Sequence, residues 1–306
     1  MVETATINFK AVTMEDKEWV KAALKQGDNR GNEFTFGNIY CWSIFMDYKI
    51  AWIGGFFVYS YIMDNQLSFS FPKGKGNLKQ VIERLRGYAY EQNQPFCLSG
   101  LIASDIETLN QLFPGQFQYK KNDVFFDYVY EAEALATLAG KKYHSKRNHI
   151  ARFVEENPDW TFEPMTAENI PECIEMNREW CRQNDCAQNK SKKEESCVVK
   201  RALDHFIELG YVGGLIRAGG KVVAFAMGEM ANSDTFVTHI EKAFSEIQGA
   251  YAIINREFSR YAMELFGCKY INREDDAGSE GLRKAKMSYK PAFLHERYFA
   301  SEMEPL

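Results

Sequence analysis

Several common features are missing from this chain of 306 residues. No uncharged run exceeds Ile50–Met63, which lies between Lys49 and Asp64. That is short of the roughly 20 residues a membrane-spanning helix requires, and it reads as adjacent strands. The seven cysteines (Cys41, Cys97, Cys173, Cys181, Cys186, Cys197 and Cys268) are odd in number and contain no Cys-x-x-Cys pair. Neither a disulfide frame nor a metal site is therefore expected. The opening MVETATINFK lacks a basic region followed by an apolar run, so no secretory leader is expected. Reduced cysteines in a cytoplasmic protein fit these absences. Charge of one sign is also lacking: 37 Lys+Arg against 42 Asp+Glu give a net charge of −5. Such a chain is no general polyanion binder, although a local basic patch can sit inside it.

What is present suits a globular protein. Hydrophobic residues make up 45% and aromatics 14%, ample for a core and unlike a disordered chain. The length suggests about two domains, and the order of elements explains why. Phe9-Lys-Ala-Val-Thr-Met-Glu-Asp16 resembles Phe162-Glu-Pro-Met-Thr-Ala-Glu-Asn169. In each, a short strand leads to a Thr that can cap a helix with acidic residues in its first turn. Further on, Lys49-Ile-Ala-Trp-Ile-Gly54 pairs with Lys221-Val-Val-Ala-Phe-Ala226. The turn at Asp64-Asn65 pairs with Asn232-Ser233-Asp234, and the strand Leu67–Phe71 with Phe236–Ile240. Each copy then runs through a glycine-bearing loop into a helix, Leu78–Glu91 or Tyr251–Phe266. Short strands follow (Phe96–Leu98; Lys269–Asn272), then helices (Ser104–Phe113; Ser279–Lys290), and last the strands Phe125–Tyr130 and Phe293–Ala300. One shared element could arise by chance, but a whole series at a nearly constant offset reads as a duplication. Two α+β (α/β) domains are expected, residues 1–135 and 136–306. Each has a mixed, mostly antiparallel central sheet flanked by helices.

A strand feeding a glycine loop and a helix leaves backbone N–H groups unpaired at the positive end of the helix dipole, a setting for an anion. In the second copy these groups would come from Gly249, Ala250 and Tyr251, beside Gln248. In the first they would come from Gly74, Gly76 and Asn77, with Lys73 and Lys75 adding charge. A plain turn is the alternative in each case.

The order of elements resembles the GNAT acyltransferase fold in tandem. That resemblance implies that the second loop holds an acyl donor. Glu246 and Tyr251 depart from the family's [Q/R]-x-x-G-x-[G/A] pattern, and a carboxylate suits pyrophosphate poorly. The stretches Thr238-His-Ile-Glu-Lys-Ala243, Gln248-Gly-Ala-Tyr251 with Ile254-Asn255, and Asn272–Lys286 resemble the family related to the phosphatidylglycerol lysyltransferase C-terminal domain. Glu33-Phe-Thr-Phe-Gly-Asn38 and Trp42 resemble its N-terminal signature. The lysyltransferase moves an aminoacyl group from tRNA to a lipid head group, and Fem-type peptidyltransferases of similar fold also use aminoacyl-tRNA. The resemblance implies an acyl- or aminoacyltransferase whose donor is either aminoacyl-tRNA or acyl-coenzyme A. A non-catalytic ligand-binding protein on the same scaffold is the alternative.

Candidate residues follow. Strict alternation along Phe236–Lys242 puts His239 and Glu241 on one face, where either could act as base for acyl transfer. Otherwise they are a core histidine and an ion-paired acid. On the helix from Ser279, Arg283, Lys286 and Lys290 share a face as a phosphate or carboxylate clamp, or as a solvated basic face. Leu282, Ala285 and Tyr289 form the packed stripe, and Tyr289 could protonate a leaving group. Asn272 and Arg273 lie in the same stretch, and Asp275 and Asp276 could bind a substrate ammonium. The segment Lys141–Arg152 contains Lys142, Lys146, Arg147 and Arg152 and no acid. It suits tRNA backbone contact, or is a helix with solvated lysines. The aromatic series from Tyr40 to Tyr61 is expected to be mainly core.

Overall fold

The computed structural model describes residues 7–63, 65–121 and 123–303, with the side chain of Ala187 set aside. The expected turn residue Asp64 lies outside the described residues. Two compact units form. The first contains residues up to Phe126 together with His295–Leu306, and the second is Asp127–Leu294.

The first unit contains β1 (Lys10–Ala11), α1 (Lys17–Lys25), α2 (Phe36–Met46), β2 (Lys49–Ile53), β3 (Phe56–Met63), β4 (Gln66–Ser70), β5 (Lys73–Gly74), α3 (Leu78–Glu91), β6 (Cys97–Leu101), α4 (Ala103–Leu112) and β7 (Phe117–Lys121). The second contains β8 (Asp127–Glu131), α5 (Ala132–Thr137), α6 (His144–Glu156), β9 (Thr161–Pro164), α7 (Ile170–Gln183), α8 (Lys190–Asp204), α9 (Phe206–Leu209), β10 (Val212–Ala218), β11 (Lys221–Met230), β12 (Thr235–Ala243), α10 (Ala250–Phe266), β13 (Tyr270–Asn272), α11 (Glu280–Ser288) and β14 (Phe293–His295). The last strand, β15 (Tyr298–Glu302), returns to the first unit.

The sheet orders are β1-β2-β3-β4-β6-β15-β7, with β5 also on β3, and β9-β10-β11-β12-β13-β8-β14. Position by position they correspond. Each contains a parallel pair, β4 with β6 and β12 with β13. The duplication and the expected fold class are thus present: two units, each a mixed, mostly antiparallel sheet flanked by helices.

Buried stripes on the long helices explain the layers. In α3, Val81, Ile82, Leu85 and Ala89 recur at helical spacing and pack with Val58, Phe69 and Leu98 of the first sheet. In α10, Ala250, Ile253, Ile254, Phe258 and Ala262 do the same against Ile216, Ala224 and Phe236. The N-termini differ. Asn77 caps α3 by accepting the Gln80 N–H at 3.1 Å, whereas no side chain caps α10.

Two expectations need correction. The strand at Lys49 corresponds in sheet position to β10 and not to the strand at Lys221, whose partner is β3. Short apolar strands of similar composition allow such a slip. The final strands are also exchanged. β8, expected to complete the first copy, lies between β13 and β14. β15, expected to complete the second, lies between β6 and β7. Residues 127–135 therefore belong with the second unit and 295–306 with the first, unlike the boundaries drawn at 135/136. Hydrophobic alternation marks a strand without naming its neighbour.

A chain ending at Leu294 tests this exchange. β6 and β7 then lose their shared partner, so hydrogen-exchange protection of residues 97–101 and 117–121 should fall by more than about 100-fold. Amides of β10 and β11 should change least.

Candidate active site in the second unit

The site begins where β12 and β13 part. Their parallel pairing runs from Thr235↔Tyr270 to Val237↔Asn272 and stops, while β12 continues to Ala243. Against β11, Ile240 pairs with Met227 but Thr238 pairs with Gly228, leaving His239 as the extra residue of a bulge. Gly228 permits this close approach, since a Cβ there would lie 1.8 Å from the Val237 carbonyl oxygen.

The bulge overturns the expected alternation. Phe236 packs on Phe258 and Phe266 of α10, and Glu241, an odd number of residues on, also reaches α10 through Asn255. Lys242 instead lies 3.6 Å from the Trp180 ring centroid of α7 and 2.6 Å from Glu195 of α8. His239 keeps to that second side. Its Nδ1 is 2.7 Å from Glu274, its Nε2 is 3.5 Å from Glu229, and its ring tilts against Tyr211. His239 and Glu241 therefore do not form a pair.

Burial alone would lower the His239 pKa, but hydrogen bonds to Glu229 and Glu274 outweigh it and raise the pKa to about 9. The imidazole is thus a cation near neutral pH and not a base.

Glu241 stands at the centre of the other cluster. Arg273 Nη2 donates to Oε1 at 2.8 Å and Asn255 Nδ2 to Oε2 at 3.1 Å. The Arg273 guanidinium lies 4.8 Å from the Tyr289 ring centroid and 5.7 Å from that of Tyr130. Lys146 of α6 places Nζ 4.0 Å from the same Tyr289 ring. Burial, with a contribution from Glu241, pushes the Tyr289 hydroxyl up to about 12 against the opposing pull of Arg273. Burial, and then Arg273, lower the Lys146 pKa. Glu241, Arg273, Tyr289 and Lys146 are thus brought together.

At the start of α10, Gly249 adopts φ +84°, and a Cβ there would lie 2.2 Å from the His149 carbonyl oxygen of α6. Only glycine fits that contact. Of the expected free amides, Ala250 N–H is taken by the Ile247 carbonyl at 3.1 Å. Gln248 is half-buried, and Tyr251 lies within hydrogen-bond reach of Trp180 and the Ala243 backbone. The corresponding loop of the first unit is closed by its own backbone: Cβ atoms on Gly74 and Gly76 would lie 2.2 and 2.3 Å from the carbonyl oxygens of Gly55 and Gly54. Lys73 turns inward to Asp105 at 3.0 Å, so it lends no charge to an anion there.

The residues expected to bind substrate mostly hold their own loop. Asn272 donates to Asp127 at 2.7 Å and accepts the Glu274 N–H at 2.7 Å. Asp275 accepts the Ala277 N–H at 2.9 Å. Asp276, fully buried, accepts from Tyr128 and from Arg283, each at 2.7 Å. Those bonds outweigh burial and lower its pKa. Lys286 donates to the carbonyl oxygens of Arg273 at 2.5 Å, Glu274 at 3.2 Å and Asp275. The expected clamp of Arg283 and Lys286 thus serves the polypeptide. The expected packed stripe is reduced to Tyr289, because α11 buries no residue and leaves Leu282 exposed.

The basic segment divides likewise. Arg147 donates to the carbonyl oxygens of Leu138 at 2.5 Å and Gly140 at 2.7 Å. Arg152 pairs with Glu156 at 2.7 Å. Lys141 and Lys142 are exposed and Lys146 is half-buried.

The family profile described as phosphatidylglycerol lysyltransferase, C-terminal, matches residues 25–301. The chain belongs to this lysyltransferase C-terminal family. A conserved protein of unknown function from Bacteroides thetaiotaomicron is 38% identical, with a TM-score of 0.93 over 97% of this chain and all of that one. L-PGS from Bacillus licheniformis is similar in fold, at 16% identity and TM-score 0.64 over 95% of this chain and 93% of that one. FemX is too, at 11% identity and TM-score 0.53 over 97% of each. Among curated proteins, an uncharacterised protein of Mycoplasmoides gallisepticum is 24% identical over 181 residues, 56% of this chain and 54% of that protein. The match thus spans about half the length of that relative.

For this member of the lysyltransferase family, sequence reasoning gave no role to Asn255, Tyr130, Glu229 or Glu274. Asn255 and Glu274 stand inside stretches that carry the family resemblance, a usable signal. Nothing local marks Tyr130 or Glu229, which the fold brings in from other strands.

The His239 cluster predicts a pH dependence. The folded pKa is raised, so its stabilisation is complete below about pH 6.5 and is lost as pH rises through about 9. Urea unfolding should show a loss of about 3 kcal/mol across that window that is absent in His239→Gln. Parallel curves for the two proteins would show that the imidazole is neutral.

Proposed function

We propose that the chain transfers an acyl or aminoacyl group to an amine or hydroxyl acceptor, with aminoacyl-tRNA as donor, at the β12/β13 split of the second unit. Membership in the lysyltransferase family and the Fem-like fold support the transferase class. The observation that carries the site is the meeting of Glu241, Arg273, Tyr289 and Lys146 beside a helix start that no side chain caps. Residues 248–251 then face the donor, and the exposed Lys141 and Lys142 meet the tRNA backbone.

The chemistry follows from proton positions. An amine acceptor attacks the donor carbonyl carbon, a C–N bond forms and the ester C–O bond breaks. Glu241 takes the proton from the acceptor nitrogen, releasing its hold on Arg273. Tyr289, whose hydroxyl keeps its proton up to about pH 12, gives one to the departing oxygen. Among the described residues no group of three or more His, Cys, Asp or Glu could hold a metal ion, and no helix is long and apolar enough to cross a membrane.

One observation favours a second reading. Glu241 is already engaged by Arg273 and Asn255, which suits a binding protein without turnover. Glu241→Gln separates the two. For a transferase, kcat should fall by about 10²–10⁴-fold while donor affinity, read by thermal shift with aminoacyl analogues, tRNA and coenzyme A, changes little. Unchanged turnover removes Glu241 as base, and no stabilisation by any donor class removes the transferase.

A further inference from the structure

We infer that Lys146 and Arg273 form a subsite for an oxyanion over the face of Tyr289, with Asn255 beside it accepting a hydrogen bond from the same ligand. The inference rests on the site proposed above and names the chemistry of what enters it.

Charge is the first argument. Lys146 Nζ and the Arg273 guanidinium lie 4.0 and 4.8 Å from the centroid of one ring. Glu241 answers Arg273, but among the described residues Lys146 has no ion-pair partner. Two cations thus share one carboxylate. The ring face offsets part of the cost, yet a quadrupole offers no oxygen to a guanidinium N–H.

Unmet hydrogen bonding is the second. Arg273 Nη1 and Asn255 Oδ1 are both buried without a partner, and Asn255 is only 3% exposed. Buried polar groups are nearly always paired, so an orphaned donor and an orphaned acceptor in one cluster call for an occupant. Both side chains are anchored to the same carboxylate, one on each oxygen. The occupant therefore accepts from Arg273 and Lys146 through an oxyanion and donates to Asn255 through a hydroxyl or amine. Phosphate and carboxylate both supply the oxyanion, and Arg273 suits either.

Inorganic phosphate and sodium acetate serve as probes against sodium chloride at equal ionic strength, read by thermal denaturation and titration calorimetry. One oxyanion should raise Tm saturably by about 2–5 °C. The stronger binder of the two assigns phosphate or carboxylate. Lys146→Met should weaken that binding by at least about 10-fold, Lys146→Arg should restore most of it, and replacement of an exposed lysine of α8, Lys193→Met, should leave it unchanged. Absence of saturable binding to both, or equal affinity in wild type and Lys146→Met, overturns the inference. Transfer is assayed separately. Turnover without oxyanion binding removes the subsite alone, and oxyanion binding without turnover keeps the subsite and removes the transferase reading.

Discussion

The slip of one residue at His239 governs what the second unit can assemble. With β12 regular, His239 and Glu241 would project together and Phe236 would lie on the side of Lys242. The bulge sends Glu241 to the α10 side and leaves His239 on the α7 side. Beyond the end of β13, the alternation of Arg273 and Glu274 matches this, Arg273 meeting Glu241 and Glu274 meeting His239. One extra residue thus creates two charged clusters on opposite sides of one split, at the cost of a position only glycine can fill opposite it.

The two clusters use charge differently. Around His239 a protonated ring lies between two carboxylates, a largely self-sufficient arrangement. Around Arg273 cations outnumber carboxylates. The loop supporting Arg273 is held by Lys286 on its carbonyl oxygens and by Arg283 on Asp276. Basic residues that look available in the sequence thus fix one guanidinium in place. A site whose charged group is held in advance spends less on ordering when a ligand arrives.

How much of this was legible follows from the range of each signal. The helices α3 and α10 were legible from their place after a strand and a glycine-bearing loop, and serial order revealed the duplication. Gly249 was legible as a loop position before a helix, Arg273 as a member of the Asn272–Lys286 stretch, and Tyr289 as part of a helical stripe. The bulge was not, because alternation in Phe236–Lys242 is intact in sequence and only pairing with Gly228 breaks it. Nor was the fate of Arg283 and Lys286, since their acceptors are an acid and backbone carbonyls placed by a loop with left-handed residues at Glu274 and Ala277. Lys146 looked like one more surface lysine because the ring beneath it comes from far along the chain.

The exchanged end strands have a consequence for synthesis. β7 cannot gain its neighbour until β15 has been made, and β15 follows the whole second unit in the chain. The second sheet, by contrast, has all its strands before β15 appears. Emerging from the ribosome, the polypeptide can close its later half first, while the earlier half waits with β6 and β7 unjoined. During that interval those two bare edges are where the nascent molecule is open to wrong pairing.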